Sequence, residues 1–150
     1  MSRGPEANLW ASFKAAKPKD ALAMRIENRA GGGYPDCTIV LAGLPLWVEL
    51  KAGKKAKLQI SPHQIAWHTS LSVHGGLSFF LQRSPESRQI ALFRGSQAID
   101  LAQKPWSEVR GACFGDLGSV WEALRLESRE HFAKLQSLQS PAASSSSPAG

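Results

Sequence analysis

Two carboxylates and one ammonium lie on neighbouring apolar segments of this chain. Asp36 begins the first segment, and Glu49 and Lys51 stand two residues apart in the second. Side chains two apart in a β-strand project from the same face of a sheet, so Glu49 and Lys51 are expected to point the same way. Carboxylate oxygens are ligands that Mg²⁺ prefers, and a nearby ammonium can neutralise developing charge. The pattern predicts a divalent-metal site able to attack a phosphodiester.

Two short connections are expected to bring these residues together. A turn centred near Leu44 would pair residues whose numbers sum to about 88, which places Asp36 close to the end of the segment 49–51. A loop centred on residues 31–32 would place Glu27 beside Asp36. Both hairpins end at one edge of the sheet, so the three acids and the lysine are predicted to converge there.

Crowded carboxylates need a cation, because each one raises the pKa of the other. Mg²⁺ takes hard oxygen ligands and keeps several waters, so Asp36, Glu49 and the Leu50 carbonyl would suffice to hold it. The ion would stabilise charge on the phosphate and acidify or orient the attacking water. Lys51 could position that water, take its proton or neutralise charge. Since an ammonium beside carboxylates normally has a raised pKa, the orienting role is favoured.

The elements that must position this cluster follow one another in a mixed α/β order. Apolar periodicity predicts a helix, three strands, a crossover helix and a fourth strand. Short loops favour an antiparallel meander of the first three strands, and a right-handed crossover would make the fourth strand parallel to the third. Residues 104–117 match no regular pattern. The predicted elements cover residues 8–16, 20–28, 37–42, 46–50, 61–74, 77–82, 89–93, 95–103 and 120–138.

The crossover helix has a clear start signal. Ser61 is a favoured N-cap, and Pro62 is favoured at the first helical position. Gln64 completes a capping box with Ser61, which explains both residues without catalysis. The helix is expected to end at the glycine pair 75–76.

Length and composition favour one soluble domain. With 150 residues, 43% of them apolar and 20% charged, the chain is long enough to bury a core. We expect a single domain over residues 1–138, with its core at about 8–95, and a disordered Ser/Ala/Pro tail over 139–150. No apolar run reaches the ~20 residues of a membrane span, and the N-terminus lacks the apolar core of a signal peptide. A cytoplasmic protein with no membrane partner is expected.

Basic residues are concentrated in the first part of the chain. The net charge is +6, and residues 1–57 carry ten Lys and Arg against five Asp and Glu. Such a surface, with a few acids set inside it, is typical of a protein that holds a polyanion and a metal ion together. A merely solvated surface is the alternative. The predicted DNA contacts are Lys54, Lys55 and Lys57, in the loop beside the acids, with Arg25 and Arg29 as weaker candidates.

The cysteines, histidines and most tryptophans are interpreted as structural. Cys37 and Cys113 lack metal-type spacing and are expected to be reduced, buried thiols. No Cys or carboxylate joins the histidines of the crossover helix at ligand spacing, so they are assigned to its surface or to the core. The tryptophans are expected to lie mostly in the core, although Trp67 could border a DNA groove. The histidines are His63, His68 and His74, and the other tryptophans are Trp10, Trp47, Trp106 and Trp121.

These motifs resemble those of a known enzyme superfamily. Asp36, preceded by proline, and Glu49-Leu50-Lys51 thirteen positions later resemble the PD-(D/E)xK nuclease superfamily. The short motif is common by chance, but its combination with further segments is more specific. With those segments the chain is similar to the VRR-NUC branch, in particular to small stand-alone versions found in phages. The likeness covers about residues 20–95 and rests on residues 25–28, 33–36, 47–51 and 61–64.

The resemblance implies a fold, an activity and a set of roles. It implies a restriction-endonuclease-like α/β core of order α-β-β-β-α-β, in which helices flank a mixed sheet and a C-terminal helix follows. It implies Mg²⁺-dependent hydrolysis of phosphodiester bonds in DNA, with Mn²⁺ as a substitute. By motif, Asp36 and Glu49 carry over as metal ligands and Lys51 as the catalytic lysine. Gln64 matches the glutamine that faces the site from the crossover helix.

The resemblance also implies a further acid, and two residues are candidates. Such nucleases often place it on the first helix, where Glu6 is the only acid. Glu27 matches the phage-type pattern and has the better geometry by hairpin position, so we favour Glu27.

Three classes of function follow. The favoured one is a metal-dependent, structure-selective DNA endonuclease like a Holliday-junction resolvase. A related alternative is a nicking or general endonuclease used in phage DNA recombination, packaging or host-DNA degradation. Resolving a four-way junction needs two active sites, so that activity would require a homodimer. The alternative is a non-catalytic DNA-binding protein that retains the nuclease fold, against which the intact set of acids and lysine argues. A third class, an interaction protein, rests only on the helix over residues 120–138.

Overall fold

The computed structural model describes residues 4–27 and 32–139, and its centre is a six-stranded mixed sheet. Helices lie on both faces of the sheet, and a long helix ends the described chain. The strands are β1 (Ala21–Arg25), β2 (Cys37–Leu41), β3 (Leu44–Lys51), β4 (Ser78–Arg83), β5 (Ile90–Arg94) and β6 (Ala112–Phe114). The helices are α1 (Pro5–Ala15), α2 (Pro62–Val73), α3 (Ala98–Gln103) and α4 (Leu117–Gln139), with single 3₁₀ turns at Gly95–Gln97 and Trp106–Glu108.

Spatial order in the sheet follows chain order from β1 to β6. β1, β2 and β3 form the antiparallel meander that the loop lengths predict. β4 runs parallel to β3 after the α2 crossover, as predicted, and β5 and β6 return antiparallel. The sixth strand has no counterpart in the sequence prediction. It is a three-residue edge strand whose first two residues are exposed, so it carries no alternating apolar signal.

The β2–β3 turn lies earlier than predicted. Cys37 pairs with Val48, and Leu41 pairs with Leu44, so the reversal is made by the two residues between the last pair. These residues, Ala42 and Gly43, have φ of 51° and 83°, the positive values that a tight hairpin turn requires. One step beyond the Cys37–Val48 pair, residue 36 comes level with residue 49. The predicted centre near Leu44 is therefore wrong, but the predicted meeting of the two acids is kept.

The two faces of the sheet are covered by different helices. On one face α1 and α4 pack against the larger core, where the rings of Phe13 and Trp121 stack with centroids 4.3 Å apart. On the other face a smaller core around Phe80 and Phe93 packs with Leu101 of α3. Because side chains alternate along β3, residues 48 and 50 enter the larger core while residues 49 and 51 turn toward α2.

Several structural expectations need correction. Cys37 is buried, but Cys113 is exposed because it lies on the edge strand β6. Of the five tryptophans only Trp121 is fully buried, and the other four are half-buried. The histidines divide as expected between core and surface, with His68 buried and the other two on α2 and at its end exposed. In the described chain no helix is long and apolar enough to span a membrane. The predicted tail lies almost wholly outside the described residues.

Candidate active site

The two central carboxylates meet where β2 begins and β3 nears its end. Asp36 Oδ2 accepts a hydrogen bond from the Leu50 backbone nitrogen at 2.7 Å, which fixes the Asp36 side chain across the hairpin. Glu49 is only 3% exposed. Its Oε2 is buried and has no hydrogen-bond partner among the described residues. The structure thus brings together the two acids that the motif predicts. One of them, Glu49, is buried with only one of its two oxygens hydrogen-bonded.

The electrostatics of Glu49 follow from that burial. Its pKa is raised from an ordinary value of 4.5 to about 9, first by burial and then by the negative charge of Asp36. A hydrogen bond to the Asp36 carboxylate, which Glu49 can donate only when it is protonated, raises the pKa further. Lys51 opposes this rise, and the charge of Glu6 adds to it. A buried carboxylate beside another one costs free energy in the ionised form unless a cation is present. Without a cation, the folded protein therefore favours a protonated Glu49.

Gln64 connects the acidic pair to the lysine. Its Nε2 donates to Glu49 Oε1 at 3.0 Å, and its Oε1 accepts from Lys51 Nζ at 3.2 Å. The same Oε1 accepts from the Ser61 backbone nitrogen at 3.0 Å, while Ser61 Oγ accepts from the Gln64 backbone nitrogen at 3.1 Å. The predicted capping box is therefore formed. Helix capping and contact with the site coexist in one side chain.

Lys51 is held firmly at the end of β3. Its Nζ donates to the Gln59 carbonyl at 2.6 Å as well as to Gln64, and it lies 3.9 Å from Glu49 Oε1. Its side chain is only 11% exposed. Because two acceptors hold the ammonium in direction, it stands beside the carboxylates as a positioned positive charge.

The further acid that the geometry favours is Glu6 rather than Glu27. Glu6 lies in the first turn of α1, at the exposed rim of the site. Partial burial raises its pKa, and the charge of Asp36 raises it further, while Lys51 and Arg25 oppose both effects. Glu6 therefore shares the electrostatic field of the cluster.

Glu27 takes a different position. The β1–β2 ladder pairs Arg25 with Cys37, and Ile26 N still donates to the Asp36 carbonyl, so Glu27 comes level with Pro35. Glu27 is exposed, and no hydrogen bond or ion pair joins it to another described residue. The hairpin prediction brings it near Asp36 along the backbone, but no contact places its carboxylate in the cluster. Our preference for Glu27 therefore finds no support in the geometry.

The predicted basic contacts border the site unevenly. Three exposed lysines of the loop after β3 line, with Lys51, Glu6 and Gln82, a cleft of about 360 Å³. One of them, Lys54, lies 3.5 Å from Glu86 Oε1. Arg25 instead lines a separate cleft against α1, and Arg29 lies outside the described residues. A larger cleft of about 560 Å³ meets the lysine cleft at Ala52 but contains none of the acidic cluster. The lysines near the site are Lys54, Lys55 and Lys57.

Two buried polar residues make contacts that the sequence did not predict. Gln82 is the register partner of Lys51 on β4 and is fully buried, with Nε2 donating to the Gly53 carbonyl at 3.2 Å. Its Oε1 has no partner in the described part of the chain. His68 is also fully buried, and its Nδ1 lies 2.6 Å from Ser78 Oγ. A glutamine ending the apolar run 77–82 is the signal that could have identified the first of these residues.

The chemistry of the carboxylate pair fits a hard divalent cation. No group of three or more His, Cys, Asp or Glu side chains within residues 4–27 and 32–139 is arranged as a metal-binding cluster. Mg²⁺, however, is commonly held by one or two carboxylates and completes its shell with waters. Asp36 and Glu49 provide two carboxylates, and Glu49 Oε2 is a buried acceptor without a partner among the described residues. The contact between Asp36 and the Leu50 backbone is made through the Leu50 nitrogen, and the carbonyl of the same residue stays the predicted third ligand.

Comparison with known proteins supports the fold. No protein-family model and no curated protein matches this chain. Its structure is similar to that of Hjc, a Holliday junction resolvase from the archaeal hyperthermophile Archaeoglobus fulgidus, with a TM-score of 0.51 and 15% sequence identity. The match covers 78% of this chain and 97% of that one. The chain therefore has a restriction-endonuclease-like α/β fold, which confirms the predicted fold class, a mixed sheet flanked by helices with a C-terminal helix.

Proposed function

We propose that this protein is a Mg²⁺-dependent DNA endonuclease that hydrolyses phosphodiester bonds, with Mn²⁺ as a substitute metal. The observation that carries the proposal is the pair of Asp36 and Glu49, held together at one sheet edge with Lys51 tied to Glu49 through Gln64. Burying a second acid beside the first weakens the fold, so stability does not explain it. A carboxyl group whose pKa is raised as strongly as that of Glu49, beside a cleft, is typical of catalytic sites.

Each residue of the site has a defined task in this chemistry. A divalent cation held by Asp36, Glu49 and the Leu50 carbonyl would stabilise charge on the phosphate and acidify a bound water. Gln64 holds Glu49 in one orientation by donating to its Oε1. Lys51, fixed by two acceptors, orients the water and neutralises the charge that develops on the phosphate.

Glu6 and the lysine loop complete the site at its rim. Glu6 shares the field of Asp36 and Lys51 and can accept a hydrogen bond from a water that enters the cluster. The exposed lysines at positions 54, 55 and 57 line the same cleft and would hold DNA phosphates on either side of the bond that is cut. DNA would therefore cross the site with its backbone against the lysines.

We also propose that the enzyme selects branched DNA and belongs to the small phage-type VRR-NUC nucleases of DNA recombination. The motif set of residues 25–64 supports the family, and the fold shared with Hjc, a Holliday junction resolvase, supports the substrate. Cutting a four-way junction symmetrically requires two active sites, so this activity would need a homodimer. Cleavage of general duplex DNA is the simpler alternative within the same chemistry.

One assay tests the proposed chemistry. The full chain is incubated with labelled four-way junction, duplex and single-stranded DNA in Mg²⁺, Mn²⁺ or EDTA. We expect cleavage with either metal, none with EDTA, and a loss of about 10³-fold or more in Asp36→Ala. The matched control is Asp100→Asn, which removes the charge of an exposed acid on α3 that pairs with Lys104. This variant should cut DNA as the wild type does.

The proposal fails if the folded protein cuts none of these DNAs with either metal. DNA binding that persists in such a protein, and in Asp36→Ala, would identify the non-catalytic DNA-binding alternative. Circular dichroism of each variant establishes that it is folded.

A further inference from the structure

Three aromatic side chains come from the same segments as the acidic cluster. Trp47 precedes Glu49 by two residues on β3, and Trp67 follows Gln64 by three on α2, so both indoles flank the Gln64–Glu49 contact. Their ring centroids are 6.0 Å apart in an edge-to-face arrangement. The ring of Tyr34 lies 6.3 Å from Trp67, tilted by 52°. The three rings thus form a continuous chain of contacts that ends at the exposed Tyr34.

Tyr34 is the open end of this cluster. It is 51% exposed, whereas the two indoles are half-buried. Its hydroxyl makes no hydrogen bond to any residue in the described ranges 4–27 and 32–139. The residue stands two positions before Asp36 on the segment that leads into β2.

The backbone that carries Tyr34 is fixed in place. Gly33 has a φ of +97°, and a Cβ at this position would collide with the carbonyl of His63 in the first turn of α2. Only glycine permits this close approach. The segment is therefore seated on α2, and the Tyr34 ring is presented at a defined distance from the acids rather than on a free loop.

The site has a direction along β3. Trp47, Glu49 and Lys51 are every second residue of β3 and share the face toward α2. The loop that carries the lysines at positions 54, 55 and 57 continues beyond Lys51. Aromatic, acidic and basic groups therefore follow one another in that order. A DNA strand whose phosphate lies at the acids would place neighbouring phosphates at the lysine end and a neighbouring base at the aromatic end.

Resting on the proposed function, we propose that Tyr34, backed by Trp67, is the stacking site for an unpaired nucleobase next to the bond that is cut. A base paired and stacked inside a duplex cannot leave its neighbours to meet Tyr34 without cost, whereas a base at a branch point, flap or gap is already free. Base stacking on an aromatic side chain is worth ~1–3 kcal/mol, or about 5- to 150-fold in affinity. The substrate class is DNA with an unpaired base beside the scissile phosphodiester.

A packing role for Tyr34 predicts a different outcome. Trp67 is already held edge-on by Trp47, and its ring lies 5.1 Å from that of His68. Tyr34 stays 51% exposed on this arrangement, so much of its ring is open to a ligand. If Tyr34 only packed, its removal would lower the melting temperature and would affect all DNA substrates equally.

The test uses the full-length protein, Tyr34→Ala and the conservative variant Tyr34→Phe. The DNAs are a forked duplex with 2-aminopurine at the unpaired position next to the cut, and a fully paired duplex of the same sequence. In EDTA, which prevents cleavage, stacking is read as quenching of 2-aminopurine fluorescence. In Mg²⁺, the ratio of kcat/KM on the fork to that on the duplex is measured.

We expect quenching and at least a fivefold preference for the fork in the wild type and in Tyr34→Phe, because the ring and not the hydroxyl stacks. Tyr34→Ala should lose the quenching, and its fork-to-duplex ratio should fall toward one. Quenching and preference that persist in Tyr34→Ala overturn the inference, as does a wild type that cuts both DNAs equally well. In the latter case the nuclease function stands. A wild type that quenches the fluorophore but cuts neither DNA overturns the proposed function and leaves the stacking site in place.

Discussion

Glu49 and Gln64 are joined by a hydrogen bond of 3.0 Å between the glutamate Oε1 and the glutamine Nε2. The other end of the same amide accepts from Lys51 and from the first turn of α2 at Ser61. The N-terminus of the crossover helix, the acid and the lysine are therefore connected through one side chain. A change at this residue should affect stability and chemistry together, whereas a change at its capping partner should affect stability alone.

Ser61→Ala and Gln64→Ala separate these two effects. Each variant breaks the capping box, and each should lower the free energy of unfolding by ~1 kcal/mol. Only Gln64→Ala also releases Glu49 and Lys51, so its kcat should fall about 10- to 100-fold further. Urea unfolding and the nuclease assay measure the two quantities on the same preparations. Equal losses of kcat in both variants would show that Gln64 acts only as a cap.

Asp36→Asn should stabilise the metal-free protein at alkaline pH. The pKa of Glu49 in the fold, about 9, lies above its ordinary 4.5, so this group's contribution to stability is complete below pH 4.5 and is lost as pH rises toward 9. The neutral amide of the variant cannot repel Glu49, and its oxygen can still accept from Leu50. In EDTA at pH 8 we expect the variant to be ~1–3 kcal/mol more stable than the wild type by urea unfolding. The difference should shrink at pH 5, and a constant difference would contradict this electrostatic origin.

Divalent metal should reverse that order of stability. An ion bound only by the folded state stabilises it by RT ln(1 + [L]/Kd), which is ~2.7 kcal/mol at a hundredfold excess over Kd. We therefore expect Mg²⁺ or Mn²⁺ to raise the melting temperature of the wild type at pH 8, and less so at pH 5, where protons compete for Glu49. Asp36→Asn should show little of this rise. Equal shifts in both proteins would place the metal elsewhere.

The central cluster was predictable because its members lie close together in sequence. Asp36, Glu49 and Lys51 belong to one hairpin, and the alternation of a strand fixes which side chains share a face. Gln64 follows from a capping box, which is also a local pattern. The predicted turn position was wrong, but the predicted proximity of the two acids did not depend on it. A turn shifted by one or two residues still places Asp36 opposite the end of β3.

The parts that were not predictable depend on tertiary packing or on unusual backbone. Gly43 is a turn signal in the sequence, but nothing in the sequence predicts the left-handed conformation of Ala42. The pair Leu44-Pro45 resembles a turn, yet it lies inside β3. Glu6 reaches the site because Leu9 and Phe13 dock α1 on the sheet, and no local pattern encodes where a helix docks. The contact between Tyr34 and Trp67 likewise joins residues far apart in sequence, and it exists only once the crossover helix α2 is in place.

Glu6→Gln and Glu27→Gln distinguish the two candidates for the further acid. Glu6 shares the field of Asp36 and Lys51, whereas Glu27 is exposed and makes no hydrogen bond or ion pair with the described residues. We expect Glu6→Gln to lower kcat about tenfold or more and Glu27→Gln to leave it within about twofold of the wild type. Both residues are exposed, so neither change should alter the melting temperature by more than a few degrees. A larger loss in Glu27→Gln would restore the assignment favoured by sequence.

His68 should make the fold sensitive to acid. Burial, and to a lesser extent Lys51, lowers its pKa from 6.5 to about 4, because the fully buried ring holds its Nδ1 against Ser78 and cannot accommodate a charge. The unfolded chain binds the proton more readily, so this contribution to stability is complete above pH 6.5 and is lost as pH falls through 4. Between these values the wild type should lose ~2–3 kcal/mol more than His68→Gln, which cannot titrate there. Urea unfolding from pH 7 to pH 4 gives the dependence of unfolding free energy on pH for both proteins. The carboxylates common to both proteins cancel in the comparison. Parallel slopes would show that His68 is not kept neutral by the fold.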